Sequence, residues 1–226
     1  MHKIITLSFD DCVTQDKRFI ELLKKYNLTC TFNVNSALLG QTGNLRAGEK
    51  SCTHNKNTAE ELASLYDGFE VAAHTRTHPM LTSLHPQDIV EEVVGDYLKL
   101  SELVGYPVRG MAYPGGHPNC DRLVTDVIRK YTRICYARTI VSAYNFDFPQ
   151  DFLLWNPTVA FCEERTEEMV SRFEELNTDG LLYIWGHSYE FDLFDCWERA
   201  ERILKSLSRI KNATCMTNMQ IYRLYH

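Results

Sequence analysis

Short apolar runs alternate with amphipathic stretches along the whole chain. Residues 4–9 read as a strand, followed by a helix over 16–26 with Phe19, Leu22, Leu23 and Tyr26 on one face. Residues 30–34 are β-branched and aromatic and read as a second strand. A polar stretch over 40–58, rich in Gly, Asn and Thr, reads as a long surface loop or lid. A short helix over 60–66 and a strand over 69–73 come next. Pro86 opens a long helix to 104, with Ile89, Val90, Val93, Tyr97, Leu98 and Leu100 at helical spacing. Strands over 108–112, 134–140, 159–162 and 181–185 then alternate with helices over 121–131, 166–176 and 197–208. Thr166 is the expected N-cap of its helix, and residues 213–224 are expected to add a short strand and a turn. Repeated strand–helix alternation implies α/β architecture, a mostly parallel sheet covered by helices. About seven such units favour a barrel over an open sheet.

The bulk numbers narrow the class. With 226 residues, 44% of them hydrophobic, the chain can bury one domain and is short for two, so 1–226 is expected to be a single catalytic domain. A net charge of −6 offers no footprint for nucleic acid or an anionic membrane, and no apolar run approaches the ~20 residues of a membrane span. The N-terminus has no signal-peptide pattern, which sets a cytoplasmic expectation. The eight cysteines form no Cys-x-x-Cys pair and are expected to be reduced. The sequons at Asn27 and Asn212 carry little weight without a secretory signal.

Candidate chemistry falls at four strand ends: Ser8-Phe9-Asp10-Asp11, His74-Thr75-Arg76-Thr77-His78-Pro79, Tyr113-Pro114-Gly115-Gly116 and Gly186-His187-Ser188. In α/β barrels the C-terminal strand ends gather in one pocket, so clusters far apart in sequence would converge. An isolated Asp-Asp pair is most often a turn or a helix cap. At a strand end, however, one carboxylate can bind a cation while the other stays free as a base. His74 and His78 can reach one ion, from a loop turn because Pro79 disfavours helix at His78. With Asp11 they make a two-His, one-carboxylate set that leaves positions open for water and substrate. Non-haem iron oxygenases use the same set, but usually on antiparallel jelly rolls, which this alternation does not resemble. His187 is either a strand-end core histidine or a general acid.

Taken together, these four clusters resemble the polysaccharide deacetylase family, carbohydrate esterase family 4, over essentially the whole chain. Ser8-Phe9-Asp10-Asp11 is similar to the family's Thr-Phe-Asp-Asp, and His74 to Pro79 fits His-[Ser/Thr]-x-x-His-Pro. The resemblance implies a distorted (β/α) barrel of about seven parallel strands and a divalent metal on Asp11, His74 and His78, zinc first, with cobalt or nickel as alternatives. It implies Asp10 as general base toward a metal-activated water, His187 as general acid, and a backbone N–H at Tyr113–Gly116, best from Gly115, as oxyanion donor. An acetylated carbohydrate would be the substrate, with N-acetyl groups of an amino sugar as the target. The third motif departs from the family's Arg-x-Pro-Tyr-Gly. Aligned on Pro114 and Gly116, it puts Ala112 where the arginine belongs, and Arg109 is the nominated substitute for orienting the base. Trp155 is nominated for the acetyl-pocket wall, and Asp147 or Asp151 for orienting His187. Removal of O-acetyl groups, as from xylan, and a carbohydrate-binding relative without catalysis are the rival readings.

Overall fold

The computed structural model describes residues 2–226. Eight parallel strands form one sheet: β1 (Lys3–Asp10), β2 (Thr31–Val34), β5 (Glu70–Ala73), β6 (Gly110–Ala112), β7 (Tyr136–Arg138), β8 (Val159–Ala160), β9 (Gly180–Gly186) and β10 (Ala213–Cys215). Seven run in the order β7-β6-β5-β2-β1-β9-β8 and curl into a half-barrel, while β10 pairs with the first half of β1 below β2. An isolated parallel bridge between Arg138 and Trp155 links β7 to the segment that leads into β8. This is the distorted barrel of about seven strands that the family resemblance implies. The helices are α1 (Asp16–Lys25), α2 (Leu62–Leu65), α3 (Pro86–Val104), α4 (Arg122–Tyr131), α5 (Thr166–Glu175), α6 (Tyr189–Leu193), α7 (Trp197–Leu207) and α8 (Asn218–Tyr225). No helix among the described residues is long and apolar enough to cross a membrane.

Strand β1 shows how the core positions the site. All eight of its residues are buried, and alternation sends them to two different places. Ile5, Leu7 and Phe9 join the core between sheet and helices, where Phe9 meets Phe19 of α1 at 4.1 Å between ring centroids. Ile4 faces the barrel interior with Tyr136, Trp155, Leu181 and Tyr183. Further up that inner row the residues become polar and pair in turn. Thr6 donates to Asn218 at 2.8 Å, Ser8 accepts from Asn33 at 2.8 Å, and Asp10 ends the row at the mouth. The apolar floor excludes water, while the mouth holds charge.

Helix α3 starts with Pro86 at its first turn and ends on Gly105 in the left-handed conformation, φ 78°. Ile89, Val93, Tyr97 and Leu100 form its buried stripe, and Leu98 instead faces solvent.

Three local expectations need correction. Residues 40–58 are not an unstructured lid, since they contain the antiparallel hairpin β3 (Asn44–Ala47) and β4 (Lys50–Thr53). Thr166 is the first helical residue rather than the cap. Its hydroxyl donates to the carbonyls of Ala160 and Glu163, so it is not free to accept from the helix N-terminus. The C-terminal segment continues beyond its strand into α8, started by a capping box between Thr217 and Gln220. The eight cysteines are unpaired.

Burial leaves a pH signature in the fold. The Asp16 carboxyl accepts from Tyr66 Oη and Ser188 Oγ, both at 2.6 Å, and burial pushes its pKa up to about 7. Asp96 of α3, accepting from the N–H groups of Ser36 and His74, is likewise raised to about 7 by burial. A carboxyl whose pKa rises on folding stabilises the fold below its unfolded pKa, and that contribution is lost as pH climbs toward 7. Thermal unfolding is therefore expected at lower temperature at pH 8 than at pH 5.5, with Asp16→Asn narrowing the difference. An unchanged difference in melts of the two proteins would refute the assignment of Asp16.

Candidate active site

The sheet curl and the strand ends bring together Asp10 and Asp11 after β1, His74 and His78 after β5, Tyr113 and Gly115 after β6, and His187 after β9. All of them line one cavity of about 640 Å³. The backbone reaches this arrangement through conformations that L-residues seldom adopt. Asp11 has φ 83°, Cys12 52°, Thr75 65° and His78 61°. A β-branched residue in this region is a genuine outlier. Thr75 is held there by Asn35, whose amide donates to the carbonyls of His74 and Thr75. Strain of this kind is retained where surrounding contacts over-determine the backbone. The left-handed turn at Asp11 lets both neighbouring carboxylates face the cavity, although a regular strand would separate them.

Asp11, His74 and His78 each offer one ligand atom, and these atoms lie within 4.8 Å of one another. His74 places Nδ1 2.9 Å from the carbonyl of Ala112, which leaves Nε2 toward the cluster. Burial lowers its pKa to about 4, so the ring is neutral, the form a ligand needs. Against the penalty of burial, His54 and Lys56 hold the Asp11 carboxyl well below the usual range. One carboxylate and two imidazoles are a fitting donor set for a zinc-type cation with open positions.

Asp10 has different partners. It is 2% exposed, and both of its oxygens accept from Nη2 of Arg138. Asn33 Nδ2 donates to its Oδ1 at 2.8 Å. Its Oδ2 lies 3.8 Å from His74 Nε2 and 3.9 Å from His187 Nε2. Burial alone would raise this carboxyl, but Arg138, through its charge and its hydrogen bonds, and the charge of His187 carry it below its ordinary value. For His187, burial favours the neutral ring, yet Glu190, Asp10 and Asp11 outweigh it and push the pKa up to about 9. Glu190 Oε1 lies 3.4 Å from Nδ1, an ion pair rather than an aligned hydrogen bond. Tyr189 stacks on the His187 ring at 4.8 Å.

Gly115 has φ 81°, and a Cβ there would meet the Met80 sulfur at 2.2 Å, so glycine is required. Tyr113 lines the cavity but commits its hydroxyl to the Leu153 carbonyl.

The structure places three sets of nominated residues away from the positions expected of them. Arg109 lies on a separate cavity with Arg223 and Tyr222, away from Asp10. The arginine paired with Asp10 is Arg138, at the end of β7, whose guanidinium also sits 4.5 Å over the Trp185 ring. Trp155 packs into the interior core against Tyr136, Tyr183 and Phe152, and the tryptophan lining the cavity is Trp185. Neither Asp147 nor Asp151 faces His187. Asp151 caps the turn over 152–154 and pairs with Arg129, whereas Glu190 takes the place beside the ring. His54 and Lys56, from the arm leaving the hairpin, are further lining residues that the sequence reading passed over.

Fold and site together define a parallel α/β half-barrel with a carboxylate–imidazole cluster at its strand ends. Residues 1–133 match the polysaccharide deacetylase family, and the chain belongs to that family. It is a metal-dependent family of carbohydrate esterases and deacetylases that also contains a pseudoenzyme. No curated protein matches the sequence. Among solved structures, the Xyl-CE4 domain of a multidomain xylanase from the hindgut metagenome of Trinervitermes trinervoides is similar at 16% identity and TM-score 0.63, over 100% of this chain and 92% of that one. A family 4 acetyl xylan esterase from Clostridium thermocellum, in complex with a cobalt ion, gives 15%, 0.62, 98% and 91%. A peptidoglycan deacetylase from Bacillus subtilis gives 17%, 0.59, 99% and 91%. At these identities the likeness is one of fold.

Proposed function

We propose that this protein removes N-acetyl groups from an amino sugar or short oligosaccharide, with Asp10 as base, His187 as acid, and a divalent cation, zinc first, on Asp11, His74 and His78. The observation that carries this reading is the pairing of an ionised carboxylate with a protonated imidazole, 3.9 Å apart, beside that ligand set. The cation would supply a Lewis acid for the acetyl carbonyl and a lowered pKa for the attacking water. Asp10, fixed by Arg138 and Asn33, takes the proton from water. The Gly115 N–H would share the charge developing on the carbonyl oxygen. His187, kept protonated by Glu190, delivers a proton to the departing nitrogen. The mouth of the cavity, with Trp185 and Tyr189 on its walls, suits stacking against a sugar face.

The alternative within the same chemistry is removal of O-acetyl groups, the activity named for the Clostridium thermocellum neighbour. The proton donor favours the amide reading. An amine leaves far less readily than an alkoxide without protonation, and His187 is held in the protonated form. The presence of all five polar side chains in one cavity supports catalysis over a purely binding role. Acetate release from N-acetylglucosamine oligomers and from acetylated xylan tests the reading. His187→Ala is expected to lower turnover of the amides by about 10²-fold or more and that of an activated aryl acetate far less. Equal losses on both substrates would remove His187 from the acid role, and acetate from xylan alone would favour the ester reading.

A further inference from the structure

Two side chains that touch Asp11 have no part in the chemistry above. Lys56 and His54 come from the arm that leaves the β3–β4 hairpin, and both end on the Asp11 carboxylate. Lys56 Nζ lies 3.2 Å from Oδ1, and His54 Nε2 lies 3.4 Å from Oδ2. Oδ1 is also the oxygen nearest His78, 3.9 Å from its Nε2. The lysine therefore contacts the carboxylate oxygen that faces His78, and the histidine holds the opposite oxygen.

Main-chain pairing fixes this arrangement. Val13 and Lys56 form an antiparallel bridge. Thr14 N–H donates to the Asn55 carbonyl, and Asn57 N–H to the Cys12 carbonyl, both at 2.8 Å. The Asn57 side chain adds a bond to the Val13 carbonyl at 2.7 Å. The arm is thus joined to the residues immediately after Asp11, and its register brings both side chains to one carboxylate. The Lys56 side chain is 7% exposed, so its ammonium carries a desolvation cost that a surface lysine avoids.

We propose that Lys56 and His54 are outer members of the metal centre with opposite effects on it: His54 fixes the Asp11 carboxylate for coordination, and Lys56 weakens the hold on the cation. The inference rests on reading Asp11, His74 and His78 as the ligands. A unit positive charge on the ligating oxygen competes for its lone pairs and repels a divalent cation through a low-dielectric site. A hydrogen bond to the other oxygen orients the ligand without competing for it. The family's metal would then be held exchangeably, at an affinity set by the hairpin arm.

The test is zinc affinity, independent of turnover. Full-length protein stripped with a chelator is titrated with zinc against a chromophoric competitor. Lys56→Met is expected to bind zinc about tenfold more tightly than wild type, and Lys56→Arg, which keeps the charge, within about twofold of it. His54→Phe is expected to bind about 10- to 100-fold more weakly. Thermal melts of the metal-free proteins check that each variant folds, with Lys56→Gln in reserve for Lys56→Met. Wild type that binds one zinc alongside a Lys56→Met or Lys56→Gln affinity that is unchanged or weaker overturns the role of Lys56. Unchanged affinity in His54→Phe overturns that of His54. Wild type that binds no zinc overturns both this inference and the ligand assignment beneath it.

Discussion

Asp10→Asn is expected to lower kcat by about 10²- to 10⁴-fold, the usual worth of a positioned general base, while bound zinc stays at one equivalent. The two halves of this result separate the adjacent carboxylates. Asp10 and Asp11 share a strand end, but their surroundings differ. Asp10 points inward onto Arg138 and Asn33, whereas Asp11 turns through a left-handed residue toward His78 and the hairpin arm. Asp10 is not in the three-residue ligand cluster, so an isosteric amide removes the proton acceptor and leaves the cation's donors in place. Asn33 can still donate to the remaining oxygen, which keeps the side chain oriented. Acetate release and metal content measured on the same sample read both halves. Turnover within a few-fold of wild type would take the base role from Asp10. Loss of metal with loss of activity would make it a ligand.

Much of this architecture was legible because it follows from periodicity. The β1 segment is apolar on alternate positions toward the helices, α3 carries its stripe between a proline start and a glycine stop, and motifs at strand ends must meet if the sheet is parallel. The residues that escaped notice are those whose partners come from the curl of the sheet. Nothing along the chain links Arg138 to Asp10, since β7 lies at the far end of the strand order and only curvature brings it opposite β1. A signal existed, however. An arginine inside the apolar run 134–140 would be an expensive core residue without a buried carboxylate to meet it. Glu190 was also accessible, because it follows His187 by three residues and the turn into α6 brings it back to the ring. Trp155 and Trp185 could not be told apart by type, as both end apolar segments and only burial separates them. His54 and Lys56 gave no local sign. They sit in a polar stretch whose contact with Asp11 depends on the main-chain pairing of the hairpin arm with residues 12–14.

Replacing Arg138 by methionine is expected to cost about 3–5 kcal/mol of stability at neutral pH, as for a buried ion pair stripped of one partner, and about 10²-fold or more in kcat. The guanidinium is fully buried and holds both oxygens of Asp10, so its removal leaves a buried carboxylate without its main counter-charge. The pH dependence carries the sharper consequence. In wild type the folded-state pKa of Asp10 is depressed, so the pair's contribution is present above the ordinary carboxylate range and fades as pH falls through the folded value. Burial is already the largest single influence on Asp10, and without Arg138 it loses its main opposition and acts to raise the carboxyl. The variant's carboxyl then takes up a proton on folding, and its stability deficit should shrink as pH is lowered from 8 toward 5. Arg138→Lys should recover part of the stability, because the charge returns, but less of the turnover, because a single ammonium cannot reproduce a planar donor stacked on Trp185. Urea unfolding of the three proteins across that pH range measures the gap directly. A deficit that stays constant with pH would mean that lost packing, not the unpaired charge on Asp10, is what the arginine's removal costs.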